Sequence, residues 1–172
     1  MIPWGGMVVL CIIMAAPVAF GIVGSRRRNT LHDRRIVLKL VYLLVSNFGD
    51  GLVIVSGGFP KWAEAFAEEA AKLLSVKTDI TPVDKEGITS KWDFTKRAFA
   101  RNRIVAERSK QGLFCLVADD RKGGTENTIC HALELKIPVF LINNSGEVFL
   151  SQDGSFPKCE PAVRLLDLKS ID

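Results

Sequence analysis

Short apolar runs, each too brief for a helix, recur along this 172-residue chain with helical patterns between them. That alternation constrains the fold more than any other feature. Val18 to Val23 reads as a buried strand, left through a turn at Gly24-Ser25-Arg26. Leu31 to Phe48 carries Ile36, Leu40, Leu43 and Leu44 at helical spacing, and Gly49-Asp50-Gly51 stops it. Leu52 to Val55 is a second strand and Ser56-Gly57-Gly58 a turn. Pro60 then opens a helix to about Leu74, with Glu64, Glu68 and Lys72 on its wet face. Lys77 to Val83 reads as a third strand. Asp84 to Asp93 follows as a polar stretch too long for a minimal connection. Phe94 to Ser109 is helical, Leu113 to Ala118 the strongest strand, Asp119 to Gly124 a polar loop and Thr125 to Lys136 a helix. Pro138 to Ile142 and the short run Val148 to Ser151 are further strands. The tail carries an apolar patch at Val163, Leu165, Leu166 and Leu168.

Buried β-branched strands alternating with helices imply a parallel sheet covered on both faces. Right-handed crossovers make this a Rossmann-like three-layer α/β/α sandwich with a mainly parallel, doubly wound sheet. No linker rich in Gly, Ser or Pro divides the chain, so residues 18–172 are expected to form one domain behind an apolar arm at residues 1–17.

The arm admits two readings. Met1 to Ser25 bears no side-chain charge, and Met7 to Gly24 is long and apolar enough for a membrane anchor, with Arg26-Arg27-Arg28 as its cytoplasmic flank. The preferred division makes Val18 to Val23 a strand, which suits Pro17 better than a mid-helix position, and leaves Met14 as a plausible start. Cys11, Cys115, Cys130 and Cys159 form no Cys-x-x-Cys pair, and only His32 and His131 could join them, so no metal site is expected. Free thiols in apolar runs suit a reducing, cytoplasmic compartment. A net charge of +4, spread along the chain, lacks the concentrated basic stripe of a nucleic-acid binder.

Three strand-to-helix junctions carry small, flexible residues: Gly24-Ser25-Arg26, Ser56-Gly57-Gly58 and Gly123-Gly124-Thr125. In an open parallel sheet, ligands bind beyond the carboxyl ends of the strands. Glycine there admits close backbone approach, and the first turn of the next helix offers N–H groups to an anion. One such junction is most often only a turn; three on one sheet edge point to phosphate. Neither Gly-x-Gly-x-x-Gly nor Gly-x-x-x-x-Gly-Lys-Ser/Thr is present, which argues against a dinucleotide dehydrogenase and a Walker-type ATPase.

Gly24-Ser25-Arg26, Val53-Ile54-Val55-Ser56-Gly57-Gly58, Arg101-Asn102 with Ile104-Val105, and Gly123-Gly124-Thr125 with Thr128-Ile129 and Ala132 occur in that order. The series resembles the successive motifs of the SLOG superfamily, over about residues 18–142. That group includes the "Lonely guy" phosphoribohydrolases, the proteins once labelled lysine decarboxylases, the Smf/DprA DNA-processing proteins and the YpsA/YspA-like nucleotide binders. The resemblance implies a nucleotide or phosphoribosyl ligand with its phosphate on Gly124-Thr125. Ser25 and Arg26 would lie beside it, Ser56-Gly57-Gly58 would line the other wall, and Arg101-Asn102 would project from the third helix. A homodimer is implied too. One departure stands out: where the phosphoribohydrolases carry a catalytic glutamate after their Gly-Thr, this chain has Thr128.

Nucleotide N-glycosidic hydrolysis is therefore an alternative function, with Glu126 or Asp119 as the candidate carboxylate, and an Smf/DprA-like DNA-processing role a third. Asp119-Asp120 could hold Mg²⁺ through phosphates, though adjacent residues seldom point the same way. His131 reads as packing or helix surface. Trp62 and Trp92 are placed to frame the crevice, with Trp92 preferred for base stacking because it falls in the long polar loop.

Overall fold

The computed structural model describes residues 17–157 and the strand at 164–167. Its strands are β1 (Val18–Gly24), β2 (Leu52–Ser56), β3 (Lys77–Ile80), β4 (Gly112–Leu116), β5 (Val139–Ile142), β6 (Glu147–Ser151) and β7 (Arg164–Asp167). The helices are α1 (Leu31–Phe48), α2 (Trp62–Leu73), α3 (Lys91–Arg108) and α4 (Gly124–Glu134). All seven strands form one sheet in the order β3-β2-β1-β4-β5-β6-β7. The first five are parallel, with Ala19 opposite Val53 and Val23 opposite Cys115, while β6 and β7 add on antiparallel. The fold is thus the expected Rossmann-like sandwich, with two antiparallel strands at one edge.

Alternation along each strand sorts side chains onto two faces. Phe20, Ile22, Ile54, Phe114, Leu116 and Ile142 pack with Ile36, Val37 and Leu40 of α1 and the alanines of α2. Val23, Val55, Leu113, Cys115 and Leu141 pack on the other face with Val105 and Ala106 of α3 and Ile129 and Ala132 of α4. The chain winds from β1 outward to β3, then returns to lay β4 on the other side of β1. The β1 and β4 loops diverge at that reversal, where an open α/β sheet places its binding crevice.

The start of α1 is fixed by a capping box: Thr30 accepts from the Asp33 amide at 3.1 Å, and Asp33 accepts from the Thr30 amide at 3.1 Å. Arg28, only 3% exposed, donates to Asp33 at 2.6 Å and to the main-chain carbonyls of Val117, Ile142 and Asn143. Buried and held by these four hydrogen bonds, it ties the end of β1 to the ends of β4 and β5. Burial alone would raise the Asp33 carboxyl. Hydrogen bonds from the Thr30 amide, Arg28 and the Thr30 hydroxyl, with the Arg28 charge, outweigh that and hold it below the usual carboxylate range.

Several boundaries differ from expectation. β3 ends at Ile80, not Val83: the Thr81 amide makes a last bond to Ser56, and Pro82 has no N–H to continue. α2 begins at Trp62, two residues after Pro60, and α3 at Lys91, because Ser90 caps it by accepting from the Asp93 amide at 3.1 Å. Trp92 therefore lies in the first turn of α3, 72% exposed, and not in a loop. Glu64 is buried, not on a wet face.

Residues 18–24 of the apolar N-terminal stretch form the central strand β1, and Arg28 is buried, so that stretch is not one continuous helix with a solvated basic flank. No helix among the described residues is long and apolar enough to cross a membrane. Residues 1–16, with Met14, and the tail positions Cys159, Val163 and Leu168 lie outside the described residues.

Candidate functional site

A cavity of about 700 Å³ opens at the carboxyl ends of β1 and β4, within the size range of small-molecule sites. Its floor is the turn Gly24-Ser25-Arg26, and one wall is the first turn of α4 with Gly123, Gly124 and Thr125. The adjoining wall is the face of α3 bearing Phe94, Ala98, Arg101 and Asn102, and Phe59, Trp62 and Glu64 also line the cavity. Eight expected binding residues are brought together there: Gly24, Ser25, Arg26, Arg101, Asn102, Gly123, Gly124 and Thr125.

Ser56, Gly57 and Gly58 do not line it. The Ser56 hydroxyl donates to Glu68 at 2.6 Å and accepts from the Gly58 amide. Gly57 matters through space: its carbonyl accepts from Arg101 Nη1 at 2.5 Å, and a Cβ on Gly57 would overlap that guanidinium. Glycine is required here by Arg101 and not by a turn.

The first turn of α4 has no side-chain cap: Gly123, with φ at 110°, offers none, and the N–H groups face the cavity end. Asn102 holds this turn in place, donating to the Gly124 carbonyl at 3.3 Å and to Asn127 at 3.2 Å. Arg101 is 7% exposed, and its Nε is buried without a hydrogen-bond partner. Burial lowers the guanidinium's proton affinity while Glu64 opposes that. Arg26, Arg27, Lys91 and Lys122 also border the cavity, so five cations face one carboxylate, and the field favours an anion.

That carboxylate, Glu64, is the residue the sequence misplaced. Its oxygen lies 4.0 Å from Arg101 Nη1. Burial pushes its pKa up to about 7, against the Arg101 charge and a bond from its own amide, with Glu68 adding to the rise and Arg26 opposing it. A signal was present: Glu64 shares its helical stripe with Ala67 and Ala71 at i+3 and i+7, and both are fully buried.

The expected carboxylates sit elsewhere. Glu126 is held by Arg121 through two bonds of 2.7 and 3.0 Å. Asp119 accepts from Asn144 at 2.9 Å, and Asp120 pairs with Arg27. None of the three lines the cavity. Thr128 does, but its hydroxyl donates to the Gly124 carbonyl at 3.2 Å. Among the described residues no cluster of three or more His, Cys, Asp or Glu could hold a metal ion. Cys115 is fully buried, with its thiol pushed well up by burial, and His131 on α4 is half-buried, its Nδ1 without a hydrogen-bond partner and 3.7 Å from Glu134. Trp62, not Trp92, borders the cavity.

No protein-family model matches this chain, and no curated protein or solved structure is significantly similar to it.

Proposed function

We propose that this protein binds a nucleotide or another phosphoribosyl compound, with the phosphate on the first turn of α4. One observation carries the reading: Arg101 lines the cavity almost fully buried, with an Nε that has no partner, beside an uncapped helix N-terminus. A buried, incompletely bonded guanidinium is costly unless an anion completes it, and it is a bidentate phosphate donor by geometry. The resemblance to the SLOG superfamily supports the same ligand class.

The test is a thermal-shift screen with nucleoside mono-, di- and triphosphates and ribose 5-phosphate. Wild type should rise in Tm with phosphorylated ligands, as about 2.7 kcal/mol at a hundred times Kd requires. Thr125→Glu, which puts a carboxylate at the helix terminus, should abolish the rise. No shift with any phosphorylated ligand overturns the proposal.

Glu64 favours a second reading, cleavage of the N-glycosidic bond. A carboxyl with pKa about 7 is suited to protonate a leaving base at neutral pH. Water would then add at the sugar carbon, giving free base and the sugar phosphate. Free base released by wild type and not by Glu64→Gln supports this; intact nucleotide after prolonged incubation overturns it.

A further inference from the structure

Four non-glycine residues among those described have positive φ: Trp62, Ser75, Arg121 and Lys136. Ser75 and Lys136 directly follow helix ends, where a left-handed residue is an ordinary stop. Arg121 lies in an irregular loop. Trp62 is different. It is the first residue of α2, a bulky aromatic at φ 65°, which sterics disfavour and nothing in helix initiation requires. Backbone strain of that kind costs on the order of 1–3 kcal/mol and concentrates at functional sites.

The strained residue sets one ring against the cavity. Trp62 and Phe59 lie 5.1 Å apart with planes inclined by 31°, forming a shallow aromatic wall. Arg26 lies over both rings, its Cζ 5.3 Å from the Trp62 centroid and 5.8 Å from that of Phe59. Arg26 is exposed and has no carboxylate within ion-pair distance among the described residues, so its close contacts there are the two rings, with Glu64 acting on it only from farther off.

Resting on the nucleotide reading above, we infer that Phe59 and Trp62 form a ring-stacking subsite, closed by Arg26, for the base of the ligand. A flat ring sandwiched between the two needs roughly 7 Å from wall to guanidinium, twice the van der Waals contact of about 3.5 Å. Arg26 must therefore shift outward by about 2 Å, which an exposed arginine with no ion pair can do. The ligand's ring then replaces the wall as the surface that faces the cation. The subsite discriminates by ring area, purine over pyrimidine, and ignores the sugar phosphate.

Trp62 fluorescence reads this directly once Trp4 and Trp92 are replaced by Phe. Three probes are used: guanosine, guanosine 5′-monophosphate and ribose 5-phosphate. The nucleoside and the monophosphate should quench Trp62 and ribose 5-phosphate should not. In the otherwise wild-type chain, Trp62→Gly accepts the positive φ and should fold, checked by its melting curve. It should weaken the monophosphate about ten- to a hundred-fold, the usual worth of one stacked base. Ribose 5-phosphate should change less than about twofold, well inside one tenfold step. Trp62→Asn, which also tolerates that φ, should behave likewise. Absence of quenching by nucleoside and monophosphate overturns the subsite, as does an equal loss of both phosphorylated ligands in the variants. If guanosine quenches while the phosphorylated probes bind no better, the subsite stands and the phosphate reading falls.

Discussion

Glu64 shows how one side chain can oppose the stability of the fold that holds it. Its carboxyl keeps a proton up to about pH 7 in the folded protein, against an ordinary value of 4.5. The folded state therefore binds more protons than the unfolded chain between those values, and stability must fall as pH rises through that window. The full difference is about 3 kcal/mol, taking about 1.4 kcal/mol per pH unit. Urea denaturation of wild type from about pH 5 to pH 8 should show this decline, and Glu64→Gln should flatten it. A wild-type profile no steeper than the variant's would mean the carboxyl is solvated. Gly57→Ala is the companion test. Its methyl must displace the Arg101 guanidinium, so it should abolish anion binding in the thermal-shift assay and destabilise by about 1–3 kcal/mol. Unchanged binding would show that Arg101 has another rotamer that serves equally well.

At the scale of elements, legibility followed how local the determining contacts are. α1 is legible with its observed ends because the helical spacing of Ile36, Leu40, Leu43 and Leu44 and the stop at Gly49 are local signals, and the Thr30–Asp33 capping box fixes its start in the structure. The start of α3 falls before the expected Phe94 because Ser90 caps it, and the charged Lys91 and Asp93 around Trp92 obscure the apolar period that announces a helix. Most of the cavity wall was legible, because the glycine junctions follow from where strands end. Trp62 is expected at the crevice and borders it, whereas Glu64 reads as solvent-facing, because its surroundings come from α3 and from the β1 turn, far away in sequence. The Arg28–Asp33 pair was equally hidden within a run of three arginines. Asp33→Ala removes the reciprocal half of the α1 capping box and the counter-charge of a buried guanidinium. It should cost about 3–5 kcal/mol, read as a lower urea midpoint with unchanged slope. A cost under 1 kcal/mol would show that the three carbonyls alone satisfy Arg28.

Over the whole molecule, the sheet order places its most protected strands at its centre. β1 and β4 are flanked on both sides and covered by helices, whereas β3 is an edge with mostly exposed residues. Amide hydrogen exchange should therefore be slowest at Gly21–Val23 and Leu113–Leu116 and fastest, among the parallel strands, at Lys77–Ile80. Equal rates in β3 and β4 would contradict that gradient. The cavity sits where the two slowest strands end, so its floor inherits their rigidity. Arg28 extends this rigidity one step further, because it bolts the segment after Ser25 to the carbonyls of Val117, Ile142 and Asn143. The roots of the loops after β1, β4 and β5 are thereby cross-linked through one buried side chain. A ligand arriving there has little backbone left to order. What it must immobilise are exposed side chains such as Arg26 and Lys122, at roughly 0.5–1.5 kcal/mol each. Association should thus resemble a key entering a finished lock, with a rate set by encounter and not by loop closure.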